Sequence, residues 1–291
     1  MKHCKKFLFL LLLSGCVRTV PVFPPIHEMT NKQGFTSNVY VLIEQESIQK
    51  NIDAYNQSGL IPRLMNESLK VKAAGEITAI TTKFNEYNFD DLILHSIKDK
   101  LNESVKKIRF EEFQVFKDSK SMNIKIDSSD KDLITKVDVV YGLTPDAKAV
   151  EIDMLMHIFI NNKHIAQNFV IDNQDKISSK KFVPLFLHGS RPIVHVSLKN
   201  TEDLSTEQSI IKLGQQNSQI LKEAVHKAIN ISSSFIAESI NKKDDFRCKA
   251  NEKNETSIIK RGEKCWLIGP FNDDESMKIF YNGYGVMHIY L

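Results

Sequence analysis

Residues 151–160 read Glu-Ile-Asp-Met-Leu-Met-His-Ile-Phe-Ile, and this stretch decides the fold. Every second residue from position 152 onward is a large aliphatic side chain, and the positions between them are mostly polar or charged. Successive side chains of a β-strand point to opposite faces, so the alternation predicts a strand with one buried side. The predicted buried set is Ile152, Met154, Met156, Ile158 and Ile160.

The segments around this strand extend it into a sheet. Residues 161–163, Asn-Asn-Lys, predict a turn, and pairing of Ile160 with Ile165 beyond that turn predicts a hairpin with one buried face. Alternating apolar residues at 137–141 and 193–198 predict strands on either side of this hairpin in the chain. Further strands are predicted at 39–43, 69–80 and 105–116.

Two stretches have the spacing of amphipathic helices. Phe89, Ile93, Ile97 and Leu101 recur every four residues, so they share one face of a helix. The second pattern opens at Ser205-Thr206-Glu207-Gln208, a capping box with Ser at the N-cap and Gln three residues later. It continues to about residue 240, and the polar stretch 214–219 allows a break.

These elements predict the α+β class. We expect a mainly antiparallel sheet with the two amphipathic helices on one face, and a small β tail with strands near 266–268 and 278–290. The predicted organisation is a signal segment at 1–15, a tether at 16–38, an α+β domain at 39–243 and a C-terminal β subdomain at 244–291. Proline and polar residues without a helical or strand period mark the tether.

The N-terminus has the layout of an export signal. A basic segment, Lys2 to Lys6, precedes the apolar run Phe7–Leu13, which is much shorter than the roughly 20 apolar residues needed to cross a bilayer. The run ends in Leu13-Ser14-Gly15-Cys16, which resembles the lipobox of bacterial lipoproteins cleaved by the type II signal peptidase. An ordinary secretory signal with an incidental cysteine is the alternative.

The resemblance implies that Cys16 becomes the lipid-bearing first residue of the mature chain. Several acyl chains on one residue hold a protein firmly, whereas one myristoyl-type chain is marginal. Val17 stands where a retention residue for the inner membrane would be Asp, so the resemblance implies an outer-membrane lipoprotein. The order of elements also resembles small outer-membrane lipoproteins of envelope assembly, although no motif in the body identifies a family.

Removal of the signal leaves the cysteines Cys16, Cys248 and Cys265. Because lipid would occupy Cys16, we expect a Cys248–Cys265 disulfide in an oxidising compartment. Such a bond would close a loop with 16 residues between its ends and contribute about 3 kcal/mol through loop entropy. Two free thiols and a zinc site are the alternatives, but no neighbouring His or Cys completes a zinc ligand set.

The charge of the mature chain disfavours nucleic acid as a partner. The chain has 39 basic and 36 acidic residues, and the signal removes three lysines and no acid, so the mature net charge is zero. A protein that binds nucleic acid usually carries a basic patch or stripe, and no long run of Lys or Arg provides one.

The most tempting catalytic peptide is His188-Gly189-Ser190-Arg191-Pro192. Ser190 would be the nucleophile of a hydrolase, with His188 or His195 as the base. A nucleophile elbow requires Gly two residues on each side of Ser, on a strand-to-helix turn. His188 and Pro192 occupy those positions, so a loop is the better interpretation. The histidines are scattered without metal-ligand spacing, and we expect no cofactor and no metal.

The C-terminal tail suggests a binding alternative. Residues 265–271, Cys-Trp-Leu-Ile-Gly-Pro-Phe, resemble a fragment of the peptidoglycan-binding SPOR domain, but only 20 residues follow Phe271, too few for the rest of such a domain. Aromatic residues of the tail would otherwise form its core.

The sequence therefore predicts a non-enzymatic lipoprotein of the outer membrane, facing the periplasm and acting through an envelope protein partner. A surface adhesin or cell-wall binder that uses the aromatic tail is the second hypothesis. A serine hydrolase at Ser190 is the third.

Overall fold

The computed structural model of this chain describes residues 34–45, 49–50, 87–163, 181–184, 191–198, 200–215 and 219–241, and five short strands after residue 246. The strands are β1 (Phe35–Leu42), β2 (Gln49–Lys50), β3 (Ile108–Phe116), β4 (Leu133–Leu143), β5 (Ala149–Asn161), β6 (Phe182–Pro184), β7 (Arg191–Ser197), β8 (Arg247–Lys249), β9 (Thr256–Ile258), β10 (Cys265–Leu267), β11 (Lys278–Tyr281) and β12 (Val286–Tyr290). The helices are α1 (Phe89–Ser104), α2 (Ser119–Ser128), α3 (Thr206–Gln215) and α4 (Gln219–Asn241).

The described strands form one mixed sheet that is mostly antiparallel. Its order is β3-β1-β4-β5-β7-β12-β11-β10-β8-β9, with β2 beside β4 and β6 beside β5. The parallel pairs are β1 with β3, β1 with β4, β2 with β4, and β7 with β12. Helices and a sheet are both present, so the predicted α+β class is confirmed.

The decisive stretch is the middle of β5, and its predicted alternation is confirmed. Ile152, Met154, Met156, Ile158 and Ile160 are all fully buried. The predicted neighbouring strands are also confirmed, because β5 pairs antiparallel with β4 and with β7. Residues of β4 continue the same apolar face, since Val137 lies opposite Met156 and Val139 lies opposite Met154.

The predicted pairing of Ile160 with Ile165 is wrong. Leu133 of β4 lies opposite Ile160 on one side, and Val183 of β6 lies opposite it on the other. A strand has only two edges, so no position remains for a third partner. Residues 164–171, the predicted second strand of the hairpin, and the predicted strand at 69–80 lie outside the described residues.

Helices α1 and α4 cover one face of the sheet, as predicted. Asn88 caps α1 by accepting a hydrogen bond from the backbone N–H of Asp91 at 3.1 Å. The buried stripe of α1 and that of α4 belong to one apolar core with the aliphatic face of β5. The stripe of α1 is Phe89, Ile93, Ile97 and Leu101.

The predicted capping box of the second helical pattern is confirmed. The Ser205 backbone N–H donates to Gln208 Oε1 at 2.9 Å, and the Gln208 N–H donates to Ser205 Oγ at 3.2 Å. The residues of this pattern form two helices, α3 and α4. Residues 216–218, which lie between the two helices in the sequence, are outside the described residues.

Helix α2 lies on the opposite face and was not predicted. Its buried residues Met122 and Ile126 pack with Tyr40, Phe116 and other apolar residues in a second, smaller core. The connection through α1 leads from β1 outward to β3, and the connection through α2 leads back across β1 to β4. Connections between parallel strands are almost always right-handed. Two such connections that run in opposite directions along a sheet place their helices on opposite faces, which accounts for the positions of α1 and α2.

The predicted domain boundaries need two corrections. Strand β1 begins at Phe35, inside the predicted tether, because Phe35 is buried in the main core. The C-terminal strands are not a separate sheet, since β12 pairs parallel with β7 and Ile289 is fully buried in the main core. The strands predicted within 278–290 are confirmed as β11 and β12, which pair antiparallel. None of the described helices is both long and apolar enough to span a membrane.

The predicted disulfide is not supported by the strand register. In the β8–β10 pair, Cys248 lies opposite Leu267, two residues along from Cys265. Such diagonal positions have Cα atoms about 7–8 Å apart, whereas disulfides usually join Cα atoms closer than about 6.8 Å. The register of β8 and β10 therefore does not support a disulfide between these two strands.

Candidate functional site

The candidate site is the sheet face opposite α1 and α4, along β4, β5 and β7. Alternation gives this face the residues that do not enter the main core. We call it the polar face. It includes Lys136, Asp138, Val140, Glu151, Asp153, Leu155, His157, Arg191, Ile193, His195 and Ser197.

Its best-defined contact is the ion pair between Arg191 and Asp153. Arg191 Nε donates to Asp153 Oδ1 at 3.0 Å, and its Nη2 donates to Oδ2 at 2.6 Å. A two-pronged guanidinium–carboxylate contact fixes both planes, which a single contact does not. The hydrogen bonds that Asp153 accepts raise the pKa of Arg191, so the guanidinium stays charged.

Two further charge contacts lie beside this pair. Glu151 and His195 are direct partners in the β5–β7 register, and His195 Nδ1 lies 3.3 Å from Glu151 Oε2. Lys136 Nζ lies 2.9 Å from Asp138 Oδ2 on β4. All four side chains are less than one-third exposed, so solvent screens these contacts less than it screens a fully exposed pair.

His157 is a second group on this face whose pKa is shifted. Burial lowers its pKa, and Lys136 opposite it in the register lowers the pKa further, while Asp138 raises it. The folded chain therefore favours the neutral imidazole of His157.

The polar face carries charged and ionisable side chains that contact one another in pairs. It has acids, bases and a hydroxyl side chain, that of Ser197, two residues beyond His195 on β7. The carboxylates lie beside cationic or ionisable partners, as the three contacts above show. In the described ranges, no cluster of three or more His, Cys, Asp or Glu could hold a metal ion. A surface of paired charges recognises a partner by electrostatic complementarity.

The structure places only some of the residues that the sequence singled out. Cys16, His188 and Ser190 lie outside the described residues. His195 lies four residues beyond Arg191 on β7, which is about 13 Å along an extended strand. Its side chain contacts Glu151, whereas the hydrolase hypothesis named no acid as a partner of this histidine.

Sequence reasoning missed the Arg191–Asp153 pair. The two residues are 38 positions apart, and they meet only because β7 aligns antiparallel with β5. The alternating charges of β5 indicate a polar face of the sheet. They do not indicate which strand lies beside β5.

In comparisons with known proteins, no family model, no curated protein and no solved structure matches this chain.

The lowered pKa of His157 predicts a loss of stability in mild acid. An unfolded His titrates near 6.5, so on acidification the unfolded chain takes up this proton before the folded chain does. The contribution of His157 is complete above about pH 6.5 and is lost as the pH falls through the lower folded pKa. Urea unfolding of the wild type and His157→Gln between pH 7.5 and about pH 5 measures it.

The His157→Gln chain should lose less free energy of unfolding over this pH range than the wild type. His95→Gln is the matched control for loss of a histidine, since His95 is exposed on α1. Equal losses in the wild type and His157→Gln would refute the assignment.

Proposed function

We propose that this chain is a lipid-anchored protein of the bacterial outer membrane that faces the periplasm and acts, without catalysis, by contacting another envelope protein. The observation that carries the proposal is the sequence Leu13-Ser14-Gly15-Cys16 directly after a basic and apolar export segment. The first described strand, β1, begins at Phe35, 19 residues after Cys16, so the sheet would lie close to the proposed lipid.

The tether limits where such a body works. A chain from Cys16 to Phe35 cannot exceed about 65 Å when fully extended. The lipid would therefore keep the sheet within that distance of the membrane surface. Its partner would be another envelope protein within the same distance of the membrane.

The polar face is the proposed contact surface. Its paired charges present both signs within a small area, and Val140 adds an apolar side chain that is 50% exposed. Interfaces commonly combine a small apolar centre with a polar rim. The face is built on strands that share the main core, so its geometry is fixed before a partner binds.

Replacing Cys16 tests the anchor. Cys16→Ser removes the thiol that would carry the thioether, so metabolic labelling with radioactive palmitate should disappear, and the chain should leave the membrane fraction. Cys4→Ser is the matched control, because Cys4 lies in the predicted discarded segment, and this variant should be labelled as the wild type is. Labelled Cys16→Ser protein would exclude Cys16 as the lipid site.

Site-specific photo-crosslinking tests the contact surface. A benzophenone amino acid at Val140 should give one crosslinked species of defined mass in intact cells. The same probe at Ile211, which is 52% exposed on α3, should not give it. The double variant Asp153→Arg with Arg191→Asp keeps an ion pair but reverses its direction, so it should fold and lose the crosslink. Retention of the species in that double variant would contradict a role for this charge pattern.

We also propose that Cys248 and Cys265 form a disulfide in the exported chain. Its support is the pair of thiols that remains if Cys16 carries lipid, in a compartment where disulfides persist. It requires the β8–β10 register to shift by two residues, so that Cys248 lies opposite Cys265 instead of Leu267.

Alkylation and mass measurement decide between bonded and free thiols. A disulfide predicts no alkyl group on these residues before reduction and two after it. Cys248→Ser should expose the remaining thiol of Cys265 to the reagent without reduction. Two alkyl groups on the unreduced, denatured wild type would rule the bond out.

A further inference from the structure

A groove between α1 and β3 lies on the side of the sheet opposite to the polar face. Its floor is formed by Leu94 of α1 and by Phe110 and Phe113 of β3. All three side chains pack partly against the main core, which fixes their positions. The groove has a volume of about 210 Å³, and the residues that line it lie within the described ranges.

A β-bulge creates the aromatic floor of this groove. Phe110 and Phe113 are three residues apart, so in a regular strand their side chains would point to opposite faces. The register of the β1–β3 pair shifts between Ser37 and Asn38, which makes Glu111 an extra residue on β3. The extra residue brings both rings to the α1 side, with centroids 6.1 Å apart. Bulges often redirect a side chain in this way beside functional sites.

Polar side chains of α1 form the rim of the groove. His95, Lys98 and Asn102 are exposed, and their spacing of three and four residues places them on one side of the helix. His95 Nδ1 donates to the carbonyl of Asp91 at 2.6 Å, which holds the ring against α1. Lys98 Nζ lies 5.9 Å from the centroid of the Phe113 ring, within the range of a cation–π contact.

The ammonium group of Lys98 is available to an anion. Glu111 is the acid that lines the groove, and its carboxylate already contacts both Arg109 and Lys131. Within the described part of the chain, Lys98 makes no ion pair. The groove therefore combines an aromatic floor with a cation that has no acidic partner there.

The size of the groove favours a single side chain as its occupant. Sites for small molecules usually have volumes of about 300–1,000 Å³, which is more than this groove provides. Protein interfaces, in contrast, depend on a few apolar side chains that each fill one pocket of the partner surface. The polar rim around such a pocket pairs with the residues next to the inserted side chain.

We infer that this groove receives one aromatic or large aliphatic side chain of a partner protein, with an Asp or Glu next to it in the partner sequence. The apolar side chain packs on Phe110 and Phe113, and the carboxylate pairs with Lys98. Adjacent residues have Cα atoms 3.8 Å apart, a spacing that lets a partner make both contacts at once. This is a second contact site besides the polar face, and it does not depend on the lipid anchor.

Capped tetrapeptides test the occupant. The probe is Gly-Phe-Asp-Gly with a fluorinated phenyl ring, and fluorine NMR follows the broadening of its signal as the full chain is added in mild detergent. Gly-Phe-Asn-Gly and Gly-Phe-Lys-Gly, with the same ring, are the matched peptides without the carboxylate. We expect the Asp peptide to bind most tightly and the Lys peptide most weakly, because Lys98 attracts an anion and repels a cation.

Variants of Lys98 test the ion pair. Lys98→Met keeps the aliphatic chain and removes the charge, so the Asp peptide should bind about fivefold more weakly, as expected for loss of an exposed ion pair. The Asn peptide should bind this variant as it binds the wild type. Lys98→Arg keeps the charge and should retain the preference for the Asp peptide. Lys120→Met is the control for loss of an exposed lysine, since Lys120 lies on α2.

A bulky side chain on the rim tests the position of the groove. Asn102→Trp should fill the groove and abolish the broadening of both the Asp and the Asn peptides. Glu103→Trp adds the same ring at the next exposed position of α1, which does not line the groove, and should leave binding unchanged. Circular dichroism checks that both variants fold.

Four results would overturn the inference. They are the absence of broadening with the wild-type chain, equal binding of the Asp and Lys peptides, unchanged binding by Asn102→Trp, and equal binding of the Asp peptide and a fluorinated phenylpropionate. The last result would assign the groove to a small carboxylate instead of a partner protein. If Asn102→Trp fails to fold, the peptide series and the Lys98 variants decide.

Discussion

The two-residue alternation of β5 is the constraint on which the rest of the structure depends. Its five aliphatic side chains, from Ile152 to Ile160, are fully buried under the helices. A shift of one residue in its pairing would move all of them to the opposite face and bring Glu151 and Asp153 into the core. Burial of a carboxylate without a partner costs several kcal/mol, so a pairing shifted by one residue is incompatible with the sequence.

That single register also produces the polar face. Once β4 and β7 align with β5, Glu151 lies opposite His195 and Asp153 comes within reach of Arg191. The ion pairs of the polar face therefore follow from the hydrophobic pattern of the opposite face. They contribute too little to determine the fold by themselves, since ion pairs in contact with solvent are typically worth about 1 kcal/mol or less.

The spacing of apolar residues made the individual helices and strands predictable. Contacts between residues far apart in the sequence could not be predicted in this way. The four-residue spacing from Phe89 to Leu101 and the capping box at Ser205 were sufficient for the two amphipathic helices. Helix α2 has only two buried residues and exposes Ile124, so its short pattern gave no clear stripe. The parallel pairing of β12 with β7 joins positions about 95 residues apart, and no local pattern encodes such a contact.

Strand β1 connects the proposed anchor to the most protected part of the sheet. It is paired on both sides, with β3 and with β4, and seven of its eight residues are buried. A pull on the tether would act along β1 and load both parallel ladders together, so their hydrogen bonds would have to shear at once. A first strand at the edge of the sheet would have only one ladder to resist the same force. The place of β1 between two neighbouring strands therefore suits a body that, as proposed, is held at its N-terminus by lipid.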